Sequence, residues 1–71
     1  MKFKELRKIT CGSEKIEIFI GQSGKIAYKG KMKNAGEYDE FTVNGMFPLL
    51  DYDGKTHIYY VKTVINLEEN K

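Results

Sequence analysis

Two alternating runs flank a glycine-rich break early in the chain, and a β-hairpin is the element that satisfies both. Residues 15–20 read Lys-Ile-Glu-Ile-Phe-Ile, with Ile16, Ile18 and Ile20 on one face and Glu17 on the other. After Gly21-Gln22-Ser23-Gly24, one face carries Ile26, Tyr28, Gly30 and Met32, and the opposite face Lys25, Lys29, Lys31 and Lys33 with Ala27. A side-chain period of two is the strand period. Residues directly opposed across a hairpin share a face, so the pattern also restricts the register. A four-residue loop would oppose Ile20 to Lys25 and mix the faces. A five-residue loop over 21–25 sets Ile20 opposite Ile26, Ile18 opposite Tyr28 and Glu17 opposite Lys29. A three-residue loop keeps the faces apart but places Lys15 against Lys29, so the five-residue register is preferred.

A second hairpin is expected from the strand-like segments 41–50 and 56–67, joined by Asp51-Tyr52-Asp53-Gly54-Lys55. Asp at the first turn position and Gly at the fourth suit a type I turn closing into a bulge with Gly54 at positive φ. That turn pairs Asp51 with Lys55, Phe47 with Tyr59, Gly45 with Val61 and Phe41 with Ile65. The other face then holds Met46, Pro48, Leu50, Ile58, Tyr60 and Val64, so both faces are apolar. One is expected to pack on the isoleucine face of the first hairpin, and the other needs separate cover. Pro48 cannot donate to a ladder, which marks its strand as an edge or as bulged.

The remaining cover is short. Phe3, Leu6 and Ile9 recur every three residues among charged neighbours, the pattern of an amphipathic helix of about two turns, with Gly12 placed to terminate it. Residues 34–40 read as a polar connection with room for one helical turn, and the tail 68–71 as frayed. A two-turn helix shields only part of an apolar sheet face, which leaves Met46, Leu50, Ile58 and Tyr60 as a candidate partner-binding patch.

Seventy-one residues make one domain of marginal size. Chains this small are commonly stapled, but one cysteine, Cys11, and one histidine, His57, supply neither an internal disulfide nor a four-ligand zinc site. Support from a protein partner or from self-association is therefore expected. No segment has the apolar length of a signal core or membrane span, and the cysteine content suits a reducing cytoplasm.

The net charge of +2 conceals an asymmetry. Residues 1–33 carry nine basic groups against three acidic, and residues 34–71 carry three against seven, balances of +6 and −4. Such a split fits two halves that attract each other across a fold, and it also fits a basic nucleic-acid face. Lys25, Lys29, Lys31 and Lys33 are the candidate basic face. Tyr28 points away from them in the alternation, whereas a stacking platform needs aromatics beside the charges. Lysines on an edge strand also guard against strand-to-strand aggregation.

No catalytic or metal-binding constellation is legible. His57 is the one imidazole and sits beside a tight turn, where it reads as a half-buried strand residue rather than a base. Cys11 follows a helix C-terminus, where the dipole disfavours a thiolate. Asp51-Tyr52-Asp53-Gly54 opens like a calcium loop, but residues 55–64 supply no closing carboxylate. Gly21-Gln22-Ser23-Gly24 lacks phosphate-loop spacing and leads into a strand.

Three short motifs resemble those of small uncharacterised β proteins from prophages and other mobile elements of Gram-positive bacteria. They are the opening Met1-Lys2-Phe3-Lys4-Glu5-Leu6, the strand Ile16-Glu17-Ile18-Phe19, and Gly24-Lys25-Ile26-Ala27-Tyr28-Lys29-Gly30-Lys31. The likeness covers roughly the first half of the chain. That group has a short helix between its hairpins, a feature from which residues 34–40 depart. The resemblance implies a phage or mobile-element setting, in which accessory and inhibitory proteins occur, anti-CRISPR and other counter-defence proteins among them. It carries over no functional residue.

The sequence thus predicts a mostly β, α+β single domain over 1–71. It has a short helix over 1–11, one hairpin over 15–33 and a second over 41–67. The two hairpins form a four-stranded antiparallel sheet that is able to curl toward an SH3-like barrel. The expected function is a non-enzymatic, cofactor-free protein-binding module with Met46, Leu50, Ile58 and Tyr60 as anchor and the lysines as rim. The alternative is a small nucleic-acid-binding β domain using the Lys25–Lys33 strand face.

Overall fold

The computed structural model describes residues 1–22 and 24–69; Ser23 of the first loop and Asn70 and Lys71 of the tail lie outside the described residues. The elements run α1 (Phe3–Ile9), β1 (Lys15–Ile20), β2 (Ile26–Lys31), two 3₁₀ turns (Met32–Asn34 and Gly36–Tyr38), β3 (Val43–Asp53) and β4 (Ile58–Leu67). The four strands form one open sheet in the order β2-β1-β4-β3.

The first hairpin forms as its alternation requires. Glu17 opposes Lys29, Ile18 opposes Tyr28, and the same register brings Lys15 opposite Lys31. The expected pairing of Ile20 with Ile26 does not occur. A bulge between Ile18 and Phe19 leaves Ala27 unpaired and sets Phe19 opposite Ile26, so the loop runs over 20–25.

The sheet is mixed rather than wholly antiparallel. β1 runs parallel to β4, from Ile16 beside Thr63 to Ile20 beside Leu67. After β2 the chain crosses one sheet face through the 3₁₀ turns and enters the far edge as β3, so β4 returns alongside β1. The two hairpins therefore lie side by side in one layer and do not pack face to face as expected. β2 and β3 remain as edges, and the sheet is not closed into a barrel.

One sheet face holds the core. Phe3 and Leu6 of α1, Met32 and Ala35 of the crossover, and Ile16, Ile18, Ile65 and Leu67 of the central strands are buried together. Ile20, Tyr28, Tyr38, Phe41 and Val43 pack around them. Each buried Ile, Leu or Phe contributes roughly 1.5–3 kcal/mol, which is what holds so short a helix in place. Ile9, expected to join Phe3 and Leu6, is 76% exposed; at 3.6 residues per turn it stands about 120° round the helix from Phe3. Helix termination is at Thr10, in extended conformation, rather than at Gly12.

The crossover also satisfies the free N–H groups at the start of α1. Phe3 donates its backbone N–H to the Phe41 carbonyl (2.8 Å) and Lys4 to that of Asp39 (3.1 Å). Arg7 grips the Asp39 carboxylate through Nε (2.6 Å) and Nη2 (2.9 Å), a forked geometry that fixes the crossover against the helix. The Arg7 contact also holds the Asp39 carboxyl below its ordinary range.

Candidate interaction surface

β3 and β4 are much longer than their neighbours. β1 accompanies β4 only from Thr63 to Leu67, while β3 pairs with β4 as far as Asp53 opposite Ile58. The segment 49–62 thus overhangs as a two-stranded arm, and the molecule measures 40 Å in its longest dimension against 17 Å in its shortest. Five residue pairs beyond the body amount to roughly 17 Å of strand. The arm closes through Gly54-Lys55-Thr56-His57, with the His57 N–H donated to the Asp53 carbonyl at 2.8 Å. Positive φ falls on His57 (59°) and not on Gly54.

This closure moves the register by five residues from the sequence expectation and redistributes the faces. Phe47 opposes Val64, Leu50 opposes Val61, and Tyr52 opposes Tyr59. On the core side, Met46, Pro48, Leu50 and Tyr52 of β3 stand with Val61 and Tyr59 of β4, beyond the reach of α1. On the other side stand Phe47, Leu49, Asp51, Lys62, Tyr60 and Ile58. The four expected anchor residues consequently divide in pairs. Met46 and Leu50 lie on the core side, and Ile58 and Tyr60 on the opposite side. Met46, Leu50 and Ile58 are exposed, whereas Tyr60 is half-buried.

Among the described residues, eight of the eleven exposed large apolar side chains belong to β3 and β4. The core side of the arm bears no charged residue between Met46 and Tyr59. Leu50 there is 63% exposed and Val61 60%, values foreign to a covered sheet face. The Tyr52 ring lies 4.9 Å from that of Tyr59, and its hydroxyl meets His57 Nδ1 at 2.8 Å. His57 is an exposed turn residue, contrary to the half-buried strand position expected of it.

The opposite side carries a polar cluster at the root of the arm. Lys62 is 8% exposed and Glu17 5%. Lys62 Nζ donates to both Glu17 and Asp51, the latter at 2.8 Å. The Tyr60 hydroxyl donates to the same Asp51 oxygen at 3.3 Å. Lys15 Nζ lies 4.6 Å from the centre of the Tyr60 ring, within cation–π range. Lys62 holds Asp51 at a pKa of about 2, with help from the Tyr52 N–H, and the two carboxylates raise Lys62 in turn. A depression of about 240 Å³ lies over this cluster, with Lys29 and Lys31 on its rim. Beside it Phe19, Phe47 and Val64 line an apolar hollow of about 330 Å³.

The basic face is shorter than the alternation implies. Lys29 and Lys31 lie on β2, with Lys29 at 3.9 Å from Glu17. Lys25 precedes the strand, and Lys33 is carried away by the first 3₁₀ turn. Tyr28 faces the core, as its parity requires, and donates its hydroxyl to the Lys31 carbonyl at 2.8 Å. Lys15, Asp51 and Lys62, absent from the expected sites, join Glu17 across the sheet. The available signal was a charge inside a strand-like run, at Glu17 between Ile16 and Ile18 and at Lys62 between Val61 and Thr63. Cys11 is exposed, and a contact with the Ser13 hydroxyl at 3.0 Å lowers its pKa, against the direction expected from the helix end.

No family model, curated protein or solved structure matches the chain. Among the described residues no helix is long and apolar enough to cross a membrane. Among the described residues no three His, Cys, Asp or Glu side chains are grouped to hold a metal.

Proposed function

We propose that this chain is a non-enzymatic protein-binding module whose working surface is the projecting β3–β4 arm. The observation that carries the reading is the concentration of exposed Leu50, Tyr52, Ile58, Tyr59 and Val61 on that arm. An isolated two-stranded ribbon is marginal in water, and solvent-facing apolar rows on it cost stability unless another surface covers them. Tyr and Met are common interface anchors. The setting we propose, an accessory or inhibitory protein of a phage or mobile element, with counter-defence as one such role, rests on the resemblance within residues 1–31 alone.

Nucleic-acid binding through Lys25, Lys29, Lys31 and Lys33 is the competing reading. Only Lys29 and Lys31 share the strand face, and the Tyr60 ring beside them already carries Lys15. Affinity capture at low and high salt separates the two. Binding through the arm survives salt and is lost on joint replacement of Leu50 and Phe47 by Asp. Binding that collapses with salt and resists those replacements would favour the lysines.

A further inference from the structure

The arm offers two chemically different sides, and only one is free of charge. From the adjoining body out to the arm's tip the core side presents Met46, then Pro48 with Thr63, then Leu50 with Val61, then Tyr52 with Tyr59. Met46, Leu50, Tyr52, Tyr59 and Val61 are each at least 45% exposed. At these exposures the row presents on the order of 500–600 Å² of largely apolar surface. A monomer's largest exposed patch rarely exceeds that size.

We propose that this side is a two-fold interface with a second copy of the chain, two arms stacking face to face. The inference rests on reading the arm as the working surface and names the occupant of one of its sides. The row carries no charge of its own, and Glu14 reaches it only at its base, where its carboxylate accepts from Thr63 Oγ1 at 3.4 Å, so from Leu50 outward the row calls for an apolar partner. A second copy meets that condition by construction. Two such rows bury roughly 1,000–1,200 Å² in all, the lower bound of a stable interface. Sheet faces stack about 10 Å apart with side chains interdigitated, which suits alternating Leu, Val and Tyr.

The edge of β3 favours stacking over edge-to-edge pairing. Val43 sends its N–H away from β4, to the Met1 carbonyl at 2.8 Å, and Glu68 donates to the Thr42 carbonyl at 2.8 Å. Alternation along the ladder from these points places the Pro48 nitrogen on the open edge. A strand added there would lack a donor at its middle, so the second copy approaches the face. The opposite side, with Phe47 and the lysine-rimmed depression, stays available in the dimer to a foreign protein.

Sedimentation equilibrium of the wild type and of the variants Leu50→Glu and Phe47→Glu tests this. The expected result is a wild-type dimer that persists in high salt, a monomeric Leu50→Glu with unchanged circular dichroism, and a dimeric Phe47→Glu. A wild type that is monomeric at every concentration overturns the dimer but leaves salt-resistant capture through the arm to be scored separately. A dimer lost in Phe47→Glu and kept in Leu50→Glu overturns the choice of face. Should Leu50→Glu fail to fold, Val61→Cys on a Cys11→Ser background decides. A short bismaleimide links it into a covalent dimer more efficiently than it links Lys55→Cys at the arm's tip. Equal or lower yield at position 61 contradicts the proposal.

Discussion

Lys62 on β4 spans the sheet face to Glu17 on β1, 45 residues earlier, while its ammonium also contacts Asp51 on β3 at 2.8 Å. One lysine thus ties three strands together where the arm leaves the body. The tie replaces a stretch of apolar packing, and its members depend on one another. A buried charge is tolerable only while its partner remains.

Removing either partner alone should therefore be worse than removing both. Lys62→Ala and Glu17→Ala are each expected to lower Tm by roughly 10 °C or more. Lys62→Leu combined with Glu17→Leu should recover most of that loss. Thermal unfolding by circular dichroism reads the cycle, and additive losses would show that the pair is not coupled.

Asp51 gives the arm its pH dependence. Its folded pKa of about 2 lies below the ordinary 3.8. A depressed carboxylate contributes stability that is fully present above its unfolded pKa and is lost as pH falls through the folded one. Stability should accordingly decline from about pH 4 toward pH 2, and Asp51→Asn should flatten that decline. Urea midpoints at stepped pH check it, and an unchanged slope in the variant would assign the decline to other carboxylates.

Core and arm should respond oppositely to truncation. Ile65, fully buried between Ile18 and the helix layer, should cost about 2–5 kcal/mol as Ile65→Ala. Leu50→Ser and Val61→Ser should leave the stability of the isolated monomer within about 0.5 kcal/mol. Denaturant unfolding at a concentration too low for association makes the comparison. A large loss at Leu50 there would place it in the core.

Pro48 should protect the open edge of β3. Pro48→Val restores a backbone N–H there and extends an 11-residue strand that is apolar on both sides. The variant is expected to form larger, concentration-dependent aggregates that the wild type does not, measured by light scattering. Equal scattering from both would show that the edge is blocked by other means.

The legible parts of the fold were those with one buried face. Ile16, Ile18 and Tyr28 had to point together, and that demand gave the first hairpin its register up to the bulge. Phe3 and Leu6 were found in the same way. The second hairpin lacked that constraint, because both of its faces are apolar and a shifted register exposes nothing new. The Asp51-Tyr52-Asp53-Gly54 segment then drew the turn toward itself, although the chain reverses at 54–57 with His57 at the left-handed position. The parallel contact of β1 with β4 depends on where the crossover delivers β3, and no local pattern encodes it. The ion-pair cluster was hidden for the same reason, since Glu17, Asp51 and Lys62 meet only after the strands are ordered.

Association through the uncharged side of the arm is the decisive point. Methyl-resolved NMR from dilute to concentrated protein addresses it residue by residue. Concentration-dependent shifts are predicted for the Met46, Leu50 and Val61 methyls, with Ile9 on the helix and Ile26 on β2 unmoved. Arm methyls that hold constant shifts throughout, or changes confined to Ile26 beside the lysines, would contradict it.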